Sequence, residues 1–119
     1  PYILIGAFLR QIIESNLKKI VAITSKMGSI DDNTSGGSYI YRTSKTALNS
    51  MMRSLTHDLA SNGISTLTLH PGWVKTDMGG PNAWINSYES VVGMIEQIEK
   101  LSQENSGQYL DYAGKKIKW

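Results

Sequence analysis

The amino-acid sequence predicts an α/β fold in which helices and strands alternate around a parallel sheet. Apolar residues recur at helical spacing in three long segments, and a short β-rich run follows each of them. Stretches rich in Gly, Ser, Asn or Pro separate most of these elements. The order is therefore α-β-α-β-α-β, and strands that alternate with helices of more than about ten residues are typical of parallel sheets with right-handed crossovers.

The first half of the chain supplies two helices and the strand between them. A helix is predicted over residues 3–17 and a buried strand over residues 18–24, KKIVAIT. Residues 25–39 are dense in Gly, Ser, Asp and Asn and predict a loop. A second helix is predicted from about residue 40 to 60, and Asn62-Gly63 ends it because both residues tolerate a left-handed C-cap. The apolar residues expected to face inward are Ile5, Phe8, Leu9, Ile12, Ile13 and Leu17, then Ala47, Leu48, Met51, Met52, Leu55 and Leu59.

The second half of the chain repeats this alternation. Residues 64–70, ISTLTLH, alternate as a strand should, and the Pro- and Gly-rich residues 71–81 predict a loop. A third helix is predicted over residues 87–103, and a short strand lies near Tyr109. Without a repeat, a low-complexity tract or a linker, residues 1–119 are expected to form a single domain. The inward residues of the third helix are Val91, Met94, Ile95, Ile98 and Leu101.

Composition excludes several classes of function. The 12 Lys and Arg against 10 Asp and Glu leave a charge of +2, which is too small to indicate a nucleic-acid partner. The absence of Cys excludes disulfides and thiolate chemistry, and two histidines without metal-ligand spacing predict no metal site. The apolar start, PYILIGAFL, is shorter than the roughly 20 residues that cross a bilayer and lacks the basic region of a secretory signal. We therefore expect no membrane partner and a cytoplasmic location.

Tyr41 and Lys45 are the first candidates for chemistry. A separation of four residues at the start of a helix puts both side chains on one face. A neighbouring cation favours the phenolate form of a tyrosine, which can then exchange a proton with a carbonyl or alcohol oxygen. The spacing alone is not specific, because Tyr112 and Lys116 also match it.

Two further segments are expected to meet this pair. Ser25 follows the first predicted strand, and the segment PGWVKT, residues 71–76, follows the second. Ligands of open parallel sheets bind beyond the carboxyl ends of the strands. The sequence therefore predicts a site at that edge of the sheet. A serine-hydrolase site is excluded because Ser25 lies in ITSKMG, which is not a G-x-S-x-G turn.

Three strings, IVAITSKMGSI, YIYRTSKTALN and ISTLTLHPGWVKTDMGG, resemble the C-terminal half of a short-chain dehydrogenase/reductase. The resemblance covers nearly the whole chain and is strongest to the subgroup of sniffer- and C-factor-like carbonyl reductases. It implies a partial Rossmann-like parallel sheet, the C-terminal half of a doubly wound fold. The implied reaction is hydride transfer between NADP(H) or NAD(H) and a carbonyl or alcohol.

The resemblance also implies roles for individual residues. Ser25 matches the serine that hydrogen-bonds the substrate oxygen, and Tyr41 matches the general acid/base. Lys45 matches the lysine that activates the tyrosine, and Tyr41 and Lys45 both belong to the cofactor site, where the lysine holds the nicotinamide ribose. The positions that match the loop contacting the nicotinamide are Pro71, Gly72, Val74 and Thr76.

The sequence departs from the family in its phosphate-binding parts. No G-x-x-x-G-x-G turn follows a strand, and the Asn-Asn-Ala-Gly segment is absent. Ile3 stands where the family's helix carries an Asn. We therefore expect this chain alone to bind NADP(H) weakly or not at all and to be inactive, unless an N-terminal half complements it. The alternative is a non-catalytic oligomeric or protein-interaction module derived from a truncated reductase.

The resemblance also predicts how the chain associates. In the family's strand order, the strand over residues 18–24 has a neighbour from the first half, so its edge is expected to be open. Exposed apolar helix faces drive association. We expect a dimer or higher homo-oligomer through the helices at 3–17 and 40–60, through which the family commonly dimerises. The substrate and the choice between NADP(H) and NAD(H) stay open, because the residues that decide them lie partly in the missing half.

Overall fold

The computed structural model describes residues 1–119 and has the predicted order of helices and parallel strands. Two single-turn 3-10 helices are also present. The one at Lys26–Gly28 packs against the second α-helix, and the one at Ala60–Asn62 follows that helix in the chain. The α/β fold class is confirmed. The main elements are α1 (Tyr2–Glu14), β1 (Lys19–Ile23), α2 (Tyr39–Asp58), β2 (Ser65–His70), α3 (Ser87–Lys100) and β3 (Gln108–Asp111).

The three strands form one sheet in the order β1-β2-β3, with parallel pairing throughout. The register places Val21 opposite Leu67, and Leu69 opposite Leu110. Strand β2 is central and is buried on both faces from Ser65 to Leu69. The carboxyl ends of β1 and β2 therefore lie side by side.

Two apolar clusters cover opposite faces of the sheet. The first joins β1 to α2 through Ile20, Met52 and Leu55, and part of α1 packs against it. The second lies between the sheet and α3, around Leu67 and Leu69 of β2. The threonines of β2 are buried on the other side, and the Thr66 hydroxyl lies 2.6 Å from that of Thr56 on α2. The Thr66 hydroxyl is thus paired with a helix instead of with water.

Two helices end three residues earlier than the sequence predicts. Helix α1 ends at Glu14 because both the N–H and the hydroxyl of Ser15 donate to the Ile12 carbonyl, and Leu17 is consequently 77% exposed. Helix α3 ends at Lys100, whose carbonyl accepts a hydrogen bond from the Asn105 amide. The side-chain caps in these two turns end the helices before their apolar periodicity does.

Some predicted inward residues face solvent. Phe8 is 53% exposed, and Val91 and Ile95 are about half exposed. On α2, Ala47 is exposed whereas Asn49 is buried at 3% exposure. The Asn49 Oδ1 accepts a hydrogen bond of 2.8 Å from the Thr24 hydroxyl in this inward position, whereas the buried Asn49 Nδ2 has no hydrogen-bond partner.

One side of the molecule is apolar and open. Strand β1 pairs only with β2, so its other edge carries no partner strand. Helix α1 contains no fully buried residue. None of the helices has the length and apolar character that crossing a membrane requires. The exposed large apolar side chains of α1 and of the start of α2 are Tyr2, Ile3, Leu4, Phe8, Tyr39 and Ile40.

Candidate functional site

A cavity of about 720 Å³ opens where β1 and β2 end. Its walls come from the turn after β1, the first turn of α2, the loop after β2 and the start of α3. Thr24 holds the two strand ends together, because its N–H donates to the Leu69 carbonyl at 2.7 Å. The cavity thus occupies the edge of the sheet at which ligands of parallel α/β folds bind.

Ser25 presents an uncommitted hydroxyl at this cavity. Its Oγ accepts a hydrogen bond of 3.2 Å from the Met27 N–H, which caps the short helix at Lys26–Gly28. The Ser25 O–H has no acceptor in the protein and can donate to a ligand oxygen. The backbone carbonyl of Ser25 is held more firmly, by the Gly28 N–H at 2.7 Å and the Tyr109 hydroxyl at 2.6 Å.

Tyr41 and Lys45 approach the cavity from α2. Tyr41 lines the cavity and is 37% exposed, and the Lys45 Nζ lies 5.6 Å from the centroid of its ring. Gly28 allows this approach, because a Cβ at that position would lie 2.9 Å from the backbone carbon of Lys45. The turn that carries Ser25 can therefore rest directly on the helix that carries the Tyr–Lys pair.

The loop after β2 forms the opposite wall. Gly72 has φ +86°, in the left-handed region, and an added Cβ would lie 2.6 Å from the Ile85 side chain. The loop folds back on itself, since the Trp73 indole donates to the Gly79 carbonyl at 2.8 Å and the Thr76 hydroxyl accepts from the Gly79 N–H at 3.2 Å. This wall is therefore fixed by its own hydrogen bonds.

The structure brings the predicted site residues to one place. All of them line the cavity except Lys45, which contacts it through Tyr41. The sequence analysis did not identify several residues that line the cavity. Three of them, Trp73, Met78 and Gly79, lie in the PGWVKTDMGG segment and could have been included by taking the whole loop as part of the site. The lining residues of α3 lie in no motif that could have identified them from the sequence. The missed lining residues are Thr24, Lys26, Met27, His70, Trp73, Met78, Gly79, Ser87, Ser90 and Val91.

His70 is the one histidine at the site. It is the last residue of β2, where the strand passes into the loop, and its side chain lies in the cavity wall. Burial lowers the pKa of His70, and the nearby carboxylate of Asp111 opposes part of that shift. The imidazole is therefore neutral at physiological pH.

The cavity fits the nicotinamide end of a dinucleotide and not its phosphates. Tyr41 brings a phenol to a cavity of about 720 Å³, a volume in the range of small-molecule sites, and Pro71, Gly72 and Val74 form part of its wall. No G-x-x-x-G-x-G or G-x-G-x-x-G turn leads from a strand of this sheet into a helix N-terminus, the arrangement that binds a pyrophosphate.

Sequence comparisons point to one family. The family model for short chain dehydrogenases matches residues 1–84. The C-signal protein of Myxococcus xanthus is 44% identical over 119 residues, which are 100% of this chain and 72% of that protein. The 1-hydroxy-2-glutathionyl-2-methyl-3-butene dehydrogenase of Rhodococcus sp. (strain AD45) is 40% identical over 105 residues, which cover 85% of this chain and 46% of that enzyme.

Solved structures agree with the sequence comparisons. The NADPH-bound carbonyl reductase from chicken fatty liver superposes with a TM-score of 0.92 at 36% identity, over 100% of this chain and 52% of that one. The carbonyl reductase Sniffer of D. melanogaster gives a TM-score of 0.82 at 44% identity, over 85% of this chain and 41% of that one. This chain therefore spans about half the length of these reductases. The match over residues 1–84 and these relatives show that the chain belongs to the short-chain dehydrogenase/reductase family.

Proposed function

We propose that this chain carries the proton-transfer half of an NAD(P)(H)-dependent carbonyl reductase. One observation carries the proposal: the uncommitted hydroxyl of Ser25 and the phenol of Tyr41 share one cavity, with the Lys45 Nζ 5.6 Å from the tyrosine ring. A serine donor, a tyrosine acid and a lysine cation are the groups that a carbonyl oxygen needs as it becomes an alcohol.

Each residue has a distinct part in this reaction. Ser25 donates a hydrogen bond to the carbonyl oxygen and fixes its position. Tyr41 transfers its phenolic proton to the same oxygen as negative charge develops there, and the Lys45 ammonium stabilises the phenolate that remains. Bound NADPH or NADH supplies the hydride that the carbonyl carbon takes up. NADP(H) is the better-supported cofactor, because the chicken reductase and the similar reductase of Burkholderia multivorans have NADPH and NADP bound.

We further propose that this chain needs a partner to work. The open edge of β1 and the exposed apolar side chains of α1 offer a surface for a complementing nucleotide-binding half. Remote binding energy from the adenosine and phosphates positions the reactive ring, so the chain alone is expected to bind the cofactor weakly and to turn over negligibly. The absence of Cys suits a reducing cytoplasm, where we place this chemistry.

The same apolar surface supports a second candidate, a non-catalytic homo-oligomer. Tyr2, Ile3 and Leu4 on α1 and Ile40 on α2 are each more than 60% exposed, and exposed apolar surface of this kind marks sites of association. In this alternative, copies associate through α1 and α2, and the site residues are inherited without a hydride donor.

The first experiment is a titration of NADPH into the 119-residue chain, by nicotinamide fluorescence, at a known oligomeric state. Saturable binding at micromolar concentration that is lost in Lys45→Ala supports an assembled cofactor site. The matched control is Lys116→Ala, because Lys116 stands four residues after Tyr112 but outside the cavity. No binding at millimolar NADPH favours the non-catalytic module for the chain alone. In that case the proposed chemistry requires that NADPH binds once a nucleotide-binding N-terminal half is added to the chain. If NADPH binds neither to the chain alone nor to this combination, the proposal is wrong.

A further inference from the structure

Two backbone carbonyls at the site are held from behind by buried hydroxyl groups. The Tyr109 hydroxyl of β3 donates to the Ser25 carbonyl at 2.6 Å, and the Ser90 hydroxyl of α3 donates to the Pro71 carbonyl at 2.6 Å. Both donor residues are 2% exposed. Each of these two walls of the cavity thus receives one hydrogen bond from a side chain in the last third of the chain, in addition to its own local hydrogen bonds.

These carbonyls lie where the sheet can no longer orient them. The parallel pairing of β1 with β2 ends at Ile23 and Leu69, and that of β2 with β3 ends at His70 and Asp111. Ser25 and Pro71 come just after these last pairs, and Pro71 has no N–H with which to continue a ladder. Side-chain donors therefore set the direction of the chain at the two points where it enters the site.

The environment of Tyr109 keeps its proton in place. Burial raises the pKa of Tyr109 to about 12, so the phenol remains a donor across the physiological pH range. The ring of Trp119 covers it with centroids 5.2 Å apart. A second hydrogen bond joins the same turn to α2, because the Thr24 hydroxyl donates to the Asn49 Oδ1 at 2.8 Å.

We propose that Tyr109 and Ser90 are positioning residues of the site, which orient the Ser25 hydroxyl and the Pro71–Gly72 turn through these two hydrogen bonds. This inference rests on the proposed function, because a positioning role presupposes that Ser25 and the loop after β2 act in the reaction. The family resemblance implies no role for either residue, and both lie after residue 84, where the match to the family model ends. Neither hydroxyl is required to donate to the substrate. Each acts on the reaction through a backbone carbonyl.

The two hydroxyls act on different walls, and that separation makes the inference testable. Without the phenol, the Ser25 carbonyl keeps only the Gly28 N–H, so the turn at residues 25–28 should loosen. Without the Ser90 hydroxyl, the Pro71 carbonyl loses the only donor that it has, so the loop around Lys75 should loosen instead. A general loss of stability would affect both walls equally.

The experiment is amide hydrogen exchange by NMR on the intact chain, which needs neither cofactor nor activity. Tyr109→Phe should speed exchange at Gly28 by roughly fivefold and leave Lys75 unchanged, the size expected for one lost hydrogen bond. Ser90→Ala should do the reverse. Matched controls are Tyr88→Phe on the exposed face of α3 and Ser102→Ala on the surface, which should change neither amide.

Two spectroscopic signatures complete the test. The Ser25 carbonyl carbon should move upfield in Tyr109→Phe, because one of its two donors is gone. In the unsubstituted chain, a slowly exchanging hydroxyl proton should be visible for Tyr109, which keeps the test available if a variant fails to fold. Equal acceleration at Gly28 and Lys75 in both variants, or a freely exchanging Tyr109 hydroxyl, would overturn the inference. Either outcome is independent of whether the chain binds NADPH, so this inference and the proposed function can fail separately.

Discussion

The Lys45 Nζ lies over the ring of Tyr41, 5.6 Å from its centroid, one turn further along the same helix. This is within the distance at which an ammonium group is attracted to an aromatic face. In the proposed reaction, the same Lys stabilises the negative charge that the tyrosine acquires when its proton leaves. Helix α2 packs on the turn after β1, so that Tyr41 lines the same cavity as Ser25 and Lys45 lies against Gly28 of that turn.

Replacing the tyrosine should remove proton transfer and leave the fold intact. The assay uses a chimera in which the part of the chicken reductase that precedes the matched region is joined ahead of Pro1. Tyr41→Phe should lower kcat for a carbonyl substrate by at least roughly 100-fold, the usual contribution of a general acid, with NADPH affinity little changed. Tyr88→Phe, at a tyrosine 79% exposed outside the cavity, serves as the control. An active Tyr41→Phe chimera would remove Tyr41 from the mechanism.

Replacing Ser25 should affect both chemistry and local structure. Ser25→Ala removes the donor to the carbonyl oxygen and also the acceptor of the Met27 N–H. We expect a lower kcat in the chimera and a loss of about 1 kcal/mol in the free energy of unfolding, as for other helix caps. Steady-state kinetics and urea unfolding measure the two effects. Ser102→Ala, on the surface, should show neither, and an unchanged kcat in Ser25→Ala would contradict the assigned role.

The sequence predicted the elements with apolar periodicity better than their ends. The order of the elements follows from patterns within single segments. The meeting of Ser25, Tyr41 and the loop after β2 follows from the rule that ligands bind at the carboxyl ends of parallel strands and from the family resemblance. The early ends of α1 and α3 do not, because they depend on hydrogen bonds from Ser15 and Asn105. Such short-range side-chain bonds compete with helix continuation and leave little trace in hydrophobic spacing.

The hydrogen bonds from Tyr109 and Ser90 to backbone carbonyls at the site could not be predicted from the sequence. Tyr109 and Ser25 are 84 positions apart in the chain, and their hydrogen bond exists only because β3 lies beside β2. The same holds for Ser90 and Pro71, which meet across the packing of α3 on the sheet. A serine or tyrosine in a helix or strand has no sequence signal that says which carbonyl it will reach.

The centre of the sheet should be the most sensitive part of the fold. Leu69 of β2 faces α3 and is fully buried at 0% exposure. Leu69→Ala therefore leaves a cavity and should lower the free energy of unfolding by about 2–5 kcal/mol. Leu17→Ala is the matched control, because that side chain is 77% exposed and should change stability by less than about 0.5 kcal/mol. Urea unfolding followed by circular dichroism measures both, and similar midpoints for the two variants would contradict the assigned core.

The neutral His70 should make stability depend on pH in one direction. Burial lowers the pKa of His70 in the folded chain, whereas in the unfolded chain it returns to about 6.5. The unfolded state therefore binds a proton first as pH falls, so the contribution of His70 is present above pH 6.5 and is lost on acidification below it. Thermal unfolding from pH 7.5 to 5 should show a falling midpoint that is flatter in His70→Gln. His57→Gln, at an exposed histidine, is the control, and identical slopes in His70→Gln and the unsubstituted chain would contradict the burial of a neutral imidazole.

The exposed apolar end should drive self-association of the chain. Ile3 and Leu4 on α1 are 86% and 63% exposed, and association would remove this surface from water at about 25 cal/mol per Å². Ile3→Glu combined with Leu4→Glu should therefore shift the chain toward monomer, because it places charges in the buried contact. Sedimentation velocity at micromolar concentration measures the change. The control is Met78→Glu, which alters an equally exposed side chain, 89% exposed, on the loop after β2. A monomer before any substitution would contradict the homo-oligomer and leave the complementing half as the partner for this surface.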